Sequence, residues 1–418
     1  MRVLWFSVTP SLYNPFSNSH NGGGWIASLE QIVRKISEVD LGIAFYFGNS
    51  YKKDIMDGVE YYCLPNDNNG MLTGLLENKK KKEQERINLY LKVIEDFKPD
   101  IIQIFGSEND FGLICELTHI PVVIHIQGSL PPYHNALFPT GMNKYDFFFQ
   151  KGLNWRRRLI GLRSEPAFHR NAEREIRILK SCKFFMGRTD WDRNLVSLFN
   201  PEAKYFHCEE ALRDSFINTE KKWSLPETTE KVKLISVISN PWYKGADLIL
   251  KTAKLLKAQT NLDFEWNVFG VNDIRFFENK YKIKAKEVNV NIKGSAPKET
   301  LVKEMTSSHL FIHPSYIDNS PNSICEAQYL GLPILATNVG GISSLIKEGE
   351  TGFLIPANDP YTLVGKIMEI QSSEEMMLKL SEKGKKVAMN RHDPKLIQET
   401  LLSIYTSLYN EKNIFKNN

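Results

Sequence analysis

Asp318 and Glu326 stand eight positions apart, one on each side of the run Ser320-Pro321-Asn322-Ser323. A serine followed by proline marks a helix start, with Ser320 as the cap and Pro321 at the first helical position, where its missing N–H costs nothing. Such a start presents free backbone N–H groups and a positive dipole end, and Pro321, Asn322 and Ser323 add no charge of their own. This is a ready phosphate site, flanked by two carboxylates.

A site of this kind needs strands and helices to hold it, and the surrounding chain signals them. Residues 310–314 are a short apolar run, Gly331 ends the helix, and 333–337 resume as a buried strand. At the other end of the chain, residues 3–8 read as a buried strand that stops at Thr9-Pro10. Gly22, Gly23 and Gly24 follow, and then Ile26, Leu29, Ile32, Val33 and Ile36 recur at helical spacing. Strand, glycine loop and helix open a βαβ unit of a parallel sheet. The glycines either let the backbone approach an anionic or sugar ligand or simply make a turn.

Further strands are expected at 41–47, 101–105, 122–126 and 184–187. The polar stretch 218–231 interrupts the alternation, and a second βα series occupies 232–237, 265–269, 290–293, 310–313 and 334–336. Helices from Asp359 onward carry apolar residues such as Leu363, Ile367, Leu401 and Tyr405 at helical intervals. The expected fold is α/β: two Rossmann-like parallel-sheet domains, 1–222 and 223–395, facing each other across a ligand cleft, with 396–418 a C-terminal helix free to return to the first domain.

Composition narrows the class. The chain has 418 residues, of which 42% are hydrophobic and 24% charged, enough for two ordinary soluble domains. A net charge of +4 admits anionic ligands or a membrane surface and is too small to argue for nucleic acid. Cys63, Cys115, Cys182, Cys208 and Cys325 are scattered and odd in number, which fits a reduced compartment and neither a disulfide framework nor a zinc site. No apolar run approaches ~20 residues and the N-terminus reads as a strand, so a cytoplasmic location is expected, or attachment to the membrane from that side. Lysines 79–82 form a solvated face. Between 138 and 163 aromatics interleave with Lys144, Lys151, Arg156, Arg157, Arg158 and Arg163. That pattern suits a helix on an anionic bilayer or gripping a lipid-linked phosphate, and equally a helix packed on its own domain with a cationic outer face.

Taken together, the block 318–356 resembles the nucleotide-sugar signature of family 4 retaining glycosyltransferases with the GT-B architecture, notably bacterial surface-polysaccharide members. The likeness rests on the Asp318/Glu326 spacing, Gly331-Leu332-Pro333, Gly340-Gly341 and the run Thr351-Gly352-Phe353-Leu354-Ile355-Pro356. Upstream, Tyr243-Lys244-Gly245-Ala246-Asp247 resembles the family's Lys-Gly motif, and Gly22 to Gly24, His125 and the stretch 187–195 resemble its other half. The resemblance covers most of the chain.

The resemblance implies roles for these residues. Glu326 accepts hydrogen bonds from the ribose hydroxyls, since a carboxylate takes two such donors. Asp318 stands where the family usually has a glutamate touching the transferred sugar, and here the side chain is one methylene shorter. Lys244 neutralises the diphosphate as the leaving group gains charge. Many members carry an arginine five residues earlier, where this chain has Ser239. Arg188 is the substitute cation, or else it caps a helix or pairs with Asp190 or Asp192. Gly23, Gly24, Pro321, Asn322 and Ser323 complete the donor contacts. His125, at a strand end, touches the donor sugar or acceptor near the reacting carbon, or is a structural histidine. Glu108, Glu209 and Glu210 are further cleft-lining candidates. With Lys, Arg and helix N–H groups on the phosphates, no metal and no cofactor are expected beyond the nucleotide-sugar co-substrate, a UDP-sugar.

The expected function is retaining transfer of a sugar to an acceptor hydroxyl, with a lipid-linked glycan of bacterial polysaccharide synthesis as the acceptor and no nucleic-acid partner. Two other readings fit the chain: a non-catalytic sugar-nucleotide-binding subunit, favoured by the departures at Asp318 and Ser239, and an epimerase or phosphorylase on the same architecture.

Overall fold

The computed structural model describes residues 1–13, 24–66, 79–146, 155–226 and 231–417, with 79, 155–164 and 412–417 as backbone only. Gly22, Gly23 and most of the basic aromatic run therefore lie outside the described residues or side chains. The described strands form two sheets. The first holds β1 (Arg2–Ser7), β2 (Asp40–Tyr46), β3 (Lys52–Met56), β4 (Val59–Leu64), β5 (Ile101–Phe105), β6 (Val122–His125), β7 (Phe184–Gly187) and β8 (Lys204–His207), in the order β3-β4-β2-β1-β5-β6-β7-β8. Each pairing is parallel except β3 with β4, a hairpin turned by Asp57 and Gly58 at φ +49° and +80°.

The second sheet holds β9 (Val232–Val237), β10 (Phe264–Phe269), β11 (Val290–Gly294), β12 (Leu310–His313), β13 (Ile334–Thr337) and β14 (Phe353–Ile355). All pairings are parallel, in the order β11-β10-β9-β12-β13-β14. The inner strands β12 and β13 are buried along their whole length because helices cover both faces of a parallel sheet, whereas the edge strand β11 buries only Val290. Both sheets reverse their winding at the centre, β1/β5 in the first and β9/β12 in the second. Loops leaving the C-terminal ends of such neighbouring strands diverge, and the crevice between them is where ligands bind in open α/β sheets.

The last helix, Pro394–Asn417, joins the first unit. Its Ile397, Leu401, Ile404, Tyr405 and Leu408 pack with Val3, Trp5 and Ile43 on one face of that sheet, and Trp5 Nε1 donates to Tyr405 Oη at 3.0 Å. The connection between sheets leans on the second unit: Leu212, Phe216 and Trp223 belong to its core, and Trp223 Nε1 donates to Ser308 O at 2.7 Å.

Candidate functional site

Lys244 ends the short turn Trp242–Lys244 after β9, and Asp318 lies in the loop after β12. Their strands are neighbours at the switch point, so both side chains are delivered to one crevice. Two features bring the loops together. Gly245, at φ +81°, allows the turn to pass over Pro314 O, where a Cβ would overlap that oxygen. Tyr316 N donates to Tyr243 O at 2.7 Å. Lys244 Nζ then lies 2.6 Å from Asp318 Oδ2.

Asp318 is only 6% exposed, and the protein meets its charge on several sides. His313 Nε2, at the end of β12, lies 3.0 Å from Oδ2; Ser315 Oγ is 3.5 Å from the same oxygen; Asn319 N donates to Oδ1 at 3.1 Å. Burial alone would push the Asp318 carboxyl up, but the Lys244 ammonium and the His313 contact hold it well below the usual carboxylate range. His313 is itself pushed down by burial, so the neutral ring donates from Nε2.

Beside this pair the helix Asn322–Leu330 begins. Pro321 is its cap residue, Asn322 its first helical residue, and no side chain caps it. The expected Ser320 cap is thus displaced by one position. The Ser320 carbonyl is held by Arg188 Nη2, and its hydroxyl is buried without a partner. Gly331 ends the helix at φ +89°, as expected. Glu326, 1% exposed, faces back toward Arg213, whose Nε and Nη2 lie 2.5 and 2.7 Å from its two oxygens. Burial pushes the Glu326 carboxyl up, and Arg213 draws it part of the way back.

The first unit contributes the loops after β5 and β6. His125 closes β6 with no exposed surface, between the rings of Trp25 at 5.1 Å and Phe105 at 5.9 Å. Neither ring nitrogen has a hydrogen-bond partner, and burial, with Arg188 nearby, pushes the imidazole down to about 3. His125 is therefore neutral. Gly24 opens the helix Gly24–Val33 at φ +56°, which carries Trp25 into contact with Gln127 Oε1 at 3.0 Å. Tyr133, on the short helix Leu130–Asn135, stacks between Trp191 at 6.3 Å and Tyr243 of the second unit at 5.4 Å. Glu108, half-buried, follows β5.

Asn319 ties the two halves. Its Nδ2 donates to Gln127 O and Asp192 Oδ2, both at 3.3 Å, and its Oδ1 accepts from Thr189 Oγ1 at 2.7 Å. Arg188 belongs to this junction and not to the crevice: it is 5% exposed, and its Nη1 lies against Glu210. The expected pairing with Asp190 or Asp192 is corrected accordingly; Asp192 receives only the Arg188 backbone N–H, at 3.2 Å, because its side chain caps the helix Asp190–Phe199.

The structure thus brings together Lys244, Asp318 and the start at Pro321, Asn322 and Ser323, with Glu326 behind them and His125 and Gly24 in the facing unit. It gives Arg188 and Glu210 to the junction. Sequence reasoning did not single out His313, Arg213, Asn319, Tyr133 or Trp191. The pairing of Arg213 spans 113 positions, and no local pattern announces it.

Residues 217–387 match the family model described as "Glycosyl transferases group 1". The capsular polysaccharide biosynthesis glycosyltransferase CapM of Staphylococcus aureus is 29% identical over 103 residues, 25% of this chain and 27% of that protein. The chain spans less than half the length of the curated relatives it matches. Among solved structures, sucrose-phosphate synthase from Thermosynechococcus elongatus superposes with a TM-score of 0.68 at 13% identity, covering 98% of this chain and 99% of that one. HepE of Anabaena in complex with UDP and glucose gives 0.64 at 13% identity, covering 97% and 99%. The chain therefore has the GT-B fold of glycosyltransferases, and its segment 217–387 is matched by the group 1 glycosyl transferase family.

Proposed function

We propose that this protein is a retaining glycosyltransferase that moves a sugar from a nucleotide-diphosphate donor, a UDP-sugar, to an acceptor hydroxyl. The observation that carries the reading is the Lys244/Asp318 pair beside an uncapped helix start at a sheet switch point. An ammonium has three protons: Asp318 takes one, and the others face the diphosphate. Asp318 Oδ1 keeps a lone pair for a sugar hydroxyl, and each oxygen of Glu326 keeps one for the ribose. His125, neutral and in the facing unit, adjoins the reacting carbon.

In this reaction the bond between the anomeric carbon and the phosphate oxygen breaks, and a bond to the acceptor oxygen forms on the same face. The acceptor proton passes to the departing phosphate, so no separate base is required. Lys244 and the helix N–H groups are assigned the charge that a metal would otherwise carry. The UDP assignment draws on HepE of Anabaena, whose structure holds UDP and glucose. A cytoplasmic-face, lipid-linked polysaccharide acceptor is favoured by the naming of CapM and by the basic aromatic run 138–163. Within that run Lys144 sits 5.5 Å over the ring of Tyr145, which is 61% exposed. Among the described residues no helix is long and apolar enough to cross a membrane.

The test is a panel of UDP-, GDP- and ADP-sugars incubated with the protein while free nucleotide is measured. One donor is expected to be cleaved slowly, and Lys244→Ala and Asp318→Ala to reduce that release by about 10²-fold or more. Undiminished release in both variants overturns the site assignment. Silence across the panel favours a non-catalytic binding subunit.

A further inference from the structure

Resting on the transferase reading, we propose that Glu108 and Tyr133 bind the acceptor: the Glu108 carboxylate accepts from one hydroxyl of an acceptor pyranose and Tyr133 Oη donates to its neighbour. Glu108 lies three residues beyond β5, one of the two switch strands of the first sheet, and so on the crevice side facing Lys244 and Asp318.

The carboxylate occupies a space made by two glycines. Gly106, at φ +85°, has no side chain where Glu108 Oε2 lies, and a Cβ there would overlap that oxygen. A Cβ on Gly128 would stand 2.9 Å from Glu108 Oε1 and 2.9 Å from Tyr133 Oη. The carboxylate and the phenol therefore converge over Gly128, as an acceptor and a donor side by side. That is the complement of a vicinal diol, whose two hydroxyls need one of each.

The frame around them is fixed. Arg174 Nη2 donates to Glu108 O at 2.5 Å. Behind the loop, the buried Glu175 accepts from Ser107 Oγ at 2.6 Å and from Leu130 N at 2.7 Å. One buried carboxylate thus joins the Glu108 loop to the helix that carries Tyr133. Among the described residues no cation pairs with Glu108; backbone N–H groups of Ser107, Glu108 and Gly128 meet it instead, while burial pushes its carboxyl up. A carboxylate supported only by amides keeps lone pairs for ligand hydroxyls. Its reach into the crevice shows in the phenols: after burial, both Asp318 and Glu108 push Tyr133 and Tyr243 up, so the two acids bracket the same aromatic pair from opposite units. Tyr133 consequently stays protonated and able to donate.

The experiment separates donor cleavage from transfer. Nucleotide release from the active donor is followed without acceptor, then with p-nitrophenyl glycosides of glucose, galactose, mannose and N-acetylglucosamine. At least one glycoside should accelerate release by the parent protein. Glu108→Gln should leave the release without glycoside within about twofold and raise the glycoside KM by about tenfold, the scale of one lost charged hydrogen bond. Tyr133→Phe should raise the same KM by about threefold to tenfold, as for a neutral hydrogen bond. The inference is overturned if no glycoside accelerates the parent or if both variants keep its KM. It is equally overturned if Glu108→Gln and Tyr133→Phe abolish release without glycoside, which would make the pair structural. No release from any donor by the parent is a different result, and counts against the transferase reading.

Discussion

Arg213 holds Glu326 in a bidentate pair, Nε to Oε1 at 2.5 Å and Nη2 to Oε2 at 2.7 Å, and so joins the segment leaving the first unit to the helix that starts at the candidate phosphate site. Planar donors on a planar carboxylate fix its orientation and leave one lone pair on each oxygen outside the fork. Arg213→Ala leaves Glu326 buried without its cation, and burial then drives the carboxyl toward the protonated form, which accepts poorly. UDP affinity by titration calorimetry should weaken about tenfold. Arg213→Lys, a single point charge, should fall between the parent and the alanine variant. Unchanged affinity in both variants would uncouple Glu326 from the nucleotide.

Arg188 and Glu210, both of the first unit, form a buried ion pair at the junction, where Arg188 also donates to Ser320 O of the second unit. A buried ion pair adds little over apolar packing, but removing one member strands the other charge. Glu210→Ala should therefore destabilise the protein by about 3–5 kcal/mol in urea unfolding. Arg188→Met combined with Glu210→Leu should recover most of that loss, short of the hydrogen bond to Ser320 O. A double variant as unstable as Glu210→Ala would contradict the pairing.

What the sequence disclosed follows the range of the interactions involved. The switch strands were legible because burial on both faces makes them mostly apolar, broken by Gln103 in β5 and by Lys233 and Ser236 in β9, and Ile101–Phe105 matches its expected limits. The hairpin β3/β4 went unread because β3 is largely exposed and mixes charged with apolar residues, although the Asp57-Gly58 turn was an available signal. Strand β8, Lys-Tyr-Phe-His with no buried residue, offers no apolar run at all. At the site, Asp318, Glu326 and Lys244 were visible as local spacing. Their partners were not: Arg213 reaches Glu326 only through tertiary packing across 113 positions, and His313 reads from the sequence as the buried end of a strand. The one-residue slip at Ser320 has the same origin: Ser-Pro is compatible with either proline position, and the distant Arg188 fixes the Ser320 carbonyl.

Glu175 makes stability fall as pH rises. Burial, and then Glu108, push its carboxyl up to about 7, well above the ordinary glutamate value. Between the ordinary value and about 7 the folded state retains a proton that the unfolded state releases, so stability declines across that window and is level above it. His125 and His392, both pushed down to about 3 by burial, act in the opposite sense, removing stability as pH falls below the ordinary imidazole value. Glu175→Gln isolates the carboxyl: its amide donates to Ser107 Oγ, which turns to accept, and its carbonyl accepts from Leu130 N. The Tm of the variant should gain on the parent between pH 5 and pH 8, measured as the difference between the two proteins at each pH. A constant difference would mean that Glu175 does not change protonation between the folded and unfolded states.

Gly340 supports the loop from which Asp318 projects. Its φ is +54°, a Cβ on it would overlap Asp318 O, and Gly341 N donates to that same oxygen at 3.0 Å. Gly340→Ala therefore combines backbone strain with displacement of Asp318, and through Asp318 of Lys244. A stability loss of about 2–4 kcal/mol is expected, and donor-dependent nucleotide release per folded molecule should fall with it. Gly349→Ala is the control: its φ is +68°, but a Cβ there meets only Phe353 Cε1, at 3.9 Å. It should lose about 1 kcal/mol from strain alone and keep the parent's rate. An equal fall in rate for both variants, after correction for the folded fraction, would assign the effect to strain in general and remove the special dependence of Lys244 on the Asp318 backbone.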